Sequence, residues 1–178
     1  MSSLSVDVRE GLVLEPQRAA IADEYYALVE RNIERLAQWE PWALLPQSLS
    51  GIRLYLAWQS QARTSGTAES YAIRLDGALV GSCSARIDTA EGTAEIGYWV
   101  DAAVEGRGIA AESVAALVDR MTARADIGRI QARTAAHNTR SRALLERLGF
   151  EFEGVLRSSQ LLGDHRVDMA MYARVKED

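Results

Sequence analysis

At 178 residues, 48% of them hydrophobic, and with a net charge of -5, the chain is long enough for one well-packed domain and short for two, so residues 1–178 are read as a single domain. The acidic balance, with Lys and Arg scattered among Asp and Glu, argues against nucleic acid as a partner, because neutralising several phosphates takes a basic stripe. The lone Cys83 cannot form an intramolecular disulfide, Met1 to Arg9 is too polar and mixed for a signal peptide, and no apolar run approaches the ~20 residues of a membrane span. The expectation is a soluble cytoplasmic protein with no membrane contact and with Cys83 packed as a small core residue.

In chain order, Leu12 to Glu15 reads as a first strand closed by Pro16. A helix follows from about Gln17 to Gln38, with Tyr25, Leu28, Val29, Asn32 or Ile33, and Leu36 at helical spacing, and Trp39-Glu40-Pro41-Trp42 ends it. Ser48 or Ser50 can cap a second helix with Ile52, Tyr55, Leu56 and Gln59 on one stripe, running to Arg63. Ser70 to Leu75 and Ala78 to Ile87 form strands joined by Asp76-Gly77, a strong hairpin signal, and Glu95 to Val100 is a third strand after the turn at 88–92. Val114, Leu117, Val118 and Met121 mark a helix that Gly128 ends, and Arg129 to Thr134 alternates as a half-buried strand. Asn138 is a plausible cap for a helix with Ser141, Leu144, Leu145 and Leu148 on one face, stopped by Gly149. Phe150 to Leu162 and His165 to Val175 close the chain as a hairpin around Gly163-Asp164. Seven strands and four helices in this order predict a mixed, mostly antiparallel sheet of the α/β (α+β) class, without repeats.

The stretch from Thr93 to Val118 organises the rest: a strand, the loop Glu105-Gly106-Arg107-Gly108-Ile109-Ala110, then a helix. Two glycines two apart let the backbone turn and approach a ligand without a Cβ in the way. The first helical N–H groups have no intrahelical partner and sit at the positive end of the helix dipole, so the place suits a phosphate or pyrophosphate. Gly106-x-Gly108-x-x-Ala111 also fits the loose dinucleotide pattern, but that site needs its first glycine directly after a strand of a parallel βαβ unit and an acid about 20 residues on. Here several residues separate Val100 from Gly106, and the preceding strands form a hairpin. No Gly-Lys-Ser/Thr follows, which excludes a P-loop.

Ile96-Gly97-Tyr98-Trp99-Val100-Asp101, Glu105 to Ala110, Asn138-Thr139-Arg140-Ser141 and Leu148-Gly149-Phe150 together resemble the GNAT superfamily of acyl-CoA-dependent N-acetyltransferases, and within it the ribosomal-protein N-terminal branch. The resemblance extends to Trp39-Glu40-Pro41-Trp42 and Asp168 to Ala173, nearly the whole chain. It implies a single-domain GNAT fold splayed at the strand before the glycine loop, with acetyl-CoA as co-substrate. By position, Glu105, Gly106, Arg107, Gly108, Ile109 and Ala110 would hold the pyrophosphate, Tyr98, Trp99 and Val100 the pantetheine arm, and Asn138 and Ser141 would lie beside that arm. Glu105 stands where the family usually has Gln.

The chemistry requires a proton to leave the attacking amine, since an α-amine has a pKa near 8 and a lysine near 10, and one to reach the leaving thiolate. Glu69 and Glu95 are the candidate bases, and the resemblance favours Glu69. Where many members carry a phenol this chain has Leu145, and the resemblance points to Ser141 as the acid. His137 and His165 are lone histidines, and no His, Cys and acid cluster implies a metal. The expected acceptor is a primary amine, in particular the N-terminus of a ribosomal protein, on a monomer or homodimer. Other readings are a small-molecule amine acetyltransferase, acting on a polyamine, amino sugar or antibiotic, and a non-catalytic acyl-CoA-binding module.

Overall fold

The computed structural model describes residues 5–176. Strands β1 (Val6–Arg9), β2 (Leu12–Pro16), β3 (Ala68–Leu75), β4 (Ala78–Asp88), β5 (Thr93–Val100), β6 (Arg129–Ala135), β7 (Glu151–Leu162) and β8 (His165–Val175) are joined with helices α1 (Ala22–Leu36), α2 (Leu49–Thr64), α3 (Ile109–Ala123) and α4 (Thr139–Arg147). All eight strands belong to one sheet, in the order β1-β2-β3-β4-β5-β6-β8-β7. Every neighbouring pair is antiparallel except β5 and β6.

Among the described residues the sheet has eight strands, one more than the sequence pattern indicates. The addition is β1, an edge strand whose Val6 and Val8 pack partly on the core while Asp7 and Arg9 face outward. Two valines in four residues are too weak an alternation to stand out within a polar leader. The other departures lie at element ends. Helix α3 stops at Ala123, because Arg124 turns extended and its guanidinium ties to Asp126, five residues before Gly128. Strand β3 begins at Ala68, so Glu69 lies within the ladder opposite Ala85. Tyr55, expected on the buried stripe of α2, is 37% exposed, whereas Ile52, Leu56 and Gln59 are buried.

The sheet is covered on both faces. On one, Tyr71, Ile73, Ala94 and Ile96 pack against Val114, Leu117, Val118 and Met121 of α3, with Leu144 and Leu145 of α4 beside them and Cys83 fully buried. On the other, Ala72 and Leu79 meet Tyr25, Leu28 and Val29 of α1 and Ile52 and Leu56 of α2. Because side chains alternate along a strand, Tyr98 of β5 packs with the first cluster and Trp99 with the second, where its ring meets Tyr25 edge-on at 6.1 Å.

The feature that positions the site is the parallel pair. β5 and β6 are hydrogen-bonded from Thr93 and Arg129 to Ile96 and Ala132, and no further. β6 continues its pairing with β8 to Ala135, while β5 stays with β4 to Val100. The sheet therefore opens between Gly97–Val100 and Arg133–Ala135. Among the described residues, no helix is long and apolar enough to cross a membrane.

Candidate active site

The opening in the sheet widens into a cleft of about 1280 Å³. Of the residues singled out in the sequence, Tyr98, Trp99, Val100, Glu105, Gly106, Gly108, Ile109, Ala110, Asn138 and Ser141 line it. Arg107 is exposed and is not among the lining residues, and neither is Glu69. The glycine loop has the expected geometry: Gly106 and Gly108 have φ of +74° and +80°, values that a Cβ disfavours. Gly108 is the N-cap of α3 and supplies no side-chain bond, so the first N–H groups of the helix are left for a ligand. A dipole of partial positive charge aimed at a cleft fits a pyrophosphate, and an acyl-CoA is the group these residues suit.

Glu105, the carboxylate that would repel that pyrophosphate, is held by two arginines. Its Oε1 accepts from Arg35 Nη1 of α1 at 2.5 Å and its Oε2 from Arg140 Nη1 of α4 at 2.6 Å. Arg35 also donates to the Val100 carbonyl and, at 3.2 Å, to Asn32 Oδ1. The loop is thus tied to both helices that flank it, and the carboxylate is more than neutralised. Sequence reading missed Arg35 because its partner is 70 residues away.

On the α4 side, Asn138 Oδ1 accepts from the Ser141 N–H at 3.1 Å and caps the helix. Ser141 Oγ lies 2.8 Å from Tyr98 Oη. Burial pushes the Tyr98 phenol up to about 12, against the effect of the Ser141 hydrogen bond, so the phenol stays protonated near neutral pH. Leu145 is fully buried.

The carboxylates differ. Glu69 is bound by Arg120 Nε at 2.8 Å and Tyr71 Oη at 2.7 Å, on the face packed against α3. Burial acts to raise its pKa, but these donors and the charges of Arg120 and Arg124 prevail and hold it below the usual carboxylate value. Glu95 lines the cleft and is likewise lowered. Burial opposes the shift, and Arg133 Nη2 at 2.7 Å, Gln131 Nε2 at 3.2 Å and the charge of Arg86 outweigh it. Glu40, just past α1, lines the cleft too, and burial raises its pKa despite a hydrogen bond from the Trp42 indole. Trp39 walls this end: its ring lies 5.2 Å from that of His137, and its carbonyl accepts from Gln160 Nε2 of β7 at 3.2 Å. Among the described residues no group of three or more His, Cys, Asp or Glu could hold a metal ion.

Over residues 12–151 the chain matches the acetyltransferase (GNAT) domain family. It is 28% identical over 172 residues to the ribosomal-protein-serine acetyltransferase of Escherichia coli K12, covering 96% of each chain. Its fold is similar to that of RimL, a ribosomal L7/L12 α-N-protein acetyltransferase solved with coenzyme A, with a TM-score of 0.93, 27% identity, and 96% and 97% of the two chains covered. It is also similar to MccE, the microcin C7 self-immunity acetyltransferase solved with acetyl-CoA and AMP, with a TM-score of 0.91, 25% identity and 96% of each chain covered.

Proposed function

The chain belongs to the GNAT acetyltransferase family and is an enzyme with acetyl-CoA as co-substrate; from that premise we propose that it acetylates the N-terminal α-amine of a protein, with a ribosomal protein as the acceptor. The observation that carries this reading is the opening between β5 and β6 beyond Ile96 and Ala132. It joins the glycine loop and Ser141 on one face of the sheet to Trp39, Glu40 and Trp99 on the other, within one cleft. At about 1280 Å³ the cleft exceeds the ~300–1000 Å³ usual for a single small ligand, which leaves room for a polypeptide terminus beside the coenzyme arm. Such an acceptor places the enzyme in the cytoplasm.

Acetyl-CoA brings an activated thioester, so the protein needs no nucleophile of its own. The glycine-loop amides and the α3 terminus bind the pyrophosphate, while the free edge of β5 from Gly97 to Val100 aligns the arm. Ser141 is the proton donor to the leaving sulfur. Tyr98 Oη also lies 3.3 Å from the Ser141 carbonyl, and either hydroxyl of the Tyr98–Ser141 pair can donate; in the arrangement with Tyr98 as donor to Oγ, the serine O–H is free to turn toward the cleft. Asn138 fixes that serine by holding its backbone N–H.

A small-molecule amine is the second reading, favoured by the likeness to MccE, whose structure contains AMP. Incubation with acetyl-CoA and a panel of N-terminal peptides, a polyamine and an amino sugar, with thiol detection, separates the two. Turnover confined to α-amines of peptides supports the proposal. Turnover confined to the small amines replaces it with the second reading.

A further inference from the structure

We propose that Glu40 is the general base that removes the proton from the acceptor amine, an inference that rests on the amine-acetylation reading above. Among the described residues three carboxylates line the cleft: Glu40, Glu95 and Glu105. Glu105 is committed to Arg35 and Arg140, and Glu95 to Arg133 and Arg86. A carboxylate held by guanidinium groups is a weak base, because its charged form is already stabilised. Glu69, the carboxylate favoured by the family resemblance, is outside the cleft lining and bound to Arg120. Glu40 has no cation within salt-bridge distance among the described residues; its side-chain bond there is from Trp42 Nε1 to Oε2, at 3.2 Å.

The backbone fixes Glu40 in the wall of the cleft. Its N–H donates to the Leu36 carbonyl at 2.8 Å, its carbonyl accepts from Ala43 at 3.0 Å, and Pro41 begins a short 3-10 turn. The preceding Trp39 is pinned to β7 by Gln160. Glu95, Gly97 and Trp99 of β5 project to this face of the sheet, away from α3 and α4. An amine entering here meets the opening from the side opposite Ser141, so the base and the acid stand on opposite sides of the reacting centre.

Burial in this end of the cleft raises the Glu40 pKa, and the Trp42 N–H works against it. The titratable group coupled to it from α2 is Tyr55. The other charged groups lining the cleft, Arg35, Arg133, Arg140, Arg147, Glu95 and Glu105, form no ion pair with it. A base shifted toward neutrality is better matched to an α-amine of pKa about 8 than an ordinary carboxylate is. In the balanced step the ammonium loses one proton to Glu40 and attacks. The N–C bond forms and the C–S bond breaks. The second nitrogen proton passes to water as the amide forms, the thiolate takes one proton from Ser141, which regains one from that water, and Glu40 then gives up its proton to solvent. One proton in total leaves to solvent.

The test uses the full chain with a peptide substrate, single-turnover thiol release and a pH series from 6 to 9. Glu40→Gln should lower the single-turnover rate about 10²-fold at pH 7, remove the acidic limb of the profile and leave the Kd for acetyl-CoA within about twofold, and Glu40→Asp should restore part of the rate. A second readout is independent of turnover. A carboxyl whose folded pKa is raised stabilises the fold fully below its unfolded pKa and loses that contribution as pH rises through the folded value. The Tm of Glu40→Gln should therefore rise relative to the wild type as pH increases above about 4.5. Wild-type rate and acidic limb in Glu40→Gln, or a Tm difference independent of pH, overturns the proposal and leaves the acetylation reading intact. A wild type that binds acetyl-CoA yet releases no thiol with any amine overturns both.

Discussion

Replacing Glu105 by Gln should move stability and coenzyme affinity in opposite directions. In the apo protein the carboxylate bridges Arg35 and Arg140, whose side chains are 31% and 70% exposed against 25% for Glu105. The Arg140 pair is a surface pair, of the kind that contributes about 0.2–1 kcal/mol. The Arg35 pair is more buried, and a hydrogen bond to a charged group contributes about 1.5–3 kcal/mol before solvent screening. Glutamine retains one carbonyl acceptor, so the net loss comes to about 1–2 kcal/mol, or about 3–6 °C in Tm for a chain of this size. For the coenzyme the sign reverses. A negative charge near the pyrophosphate in a water-like dielectric costs at most about 1 kcal/mol, the value for two unit charges about 4 Å apart, or a factor of up to about 5 in Kd. Removing it also releases two guanidiniums toward the phosphates. Thermal denaturation without ligand gives the first quantity, and calorimetric titration of acetyl-CoA at low salt gives the second. An unchanged Tm refutes the bridging role, and a tenfold weaker Kd shows that the carboxylate helps to hold the ligand.

Ser141→Ala should reduce kcat by no more than the lower part of the ~10²- to 10⁴-fold range for general acid–base catalysis, with the Kd for acetyl-CoA within a few-fold; full kcat when chemistry limits turnover would assign Ser141 to packing. Gly108→Ala places a Cβ at φ +80°, 3.2 Å from Glu112 Oε1, so a loss of about 1–2 kcal/mol and weaker acetyl-CoA binding are expected by thermal denaturation and titration. Glu69, Glu95 and Asp101 all have folded pKa values below their ordinary ones, where donors and cations overcome the effect of burial. Their stabilisation is present at neutral pH and lost as pH falls from about 4.5 through the lower folded values, so Tm should drop across that window, less steeply in Glu69→Gln. Retention of turnover and of the pH profile in that variant assigns Glu69 to holding Arg120 and Tyr71.

The parts of the site that are continuous in sequence were legible in it. Gly106 and Gly108 before a helical periodicity, and Asn138 three residues before Ser141, announce backbone geometries that depend on a few adjacent residues. The hairpins at Asp76-Gly77 and Gly163-Asp164 are local in the same sense, and both strand pairs occur as read. What stayed hidden depends on distant packing. Arg35 and Arg140 reach Glu105 from two helices, and no spacing rule connects them. Glu69 shares its strand face with Tyr71 and Ile73, which pack toward α3; that parity was available in the sequence, but not which helix would cover which face. Glu40 sits in a Trp-Glu-Pro-Trp turn that reads as a helix stop, and only the folded chain brings it into the same cleft as Trp99 and Gly97.

The most direct test of the account is mass spectrometric location of the acetyl group on a ribosomal N-terminal peptide that also contains lysine, after incubation with the enzyme and acetyl-CoA. The account predicts one acetyl group on the α-amine, one thiol released for each, and loss of both with Gly108→Glu. Acetyl-CoA binding without any α-amine product, or product on the lysine side chain alone, would contradict it.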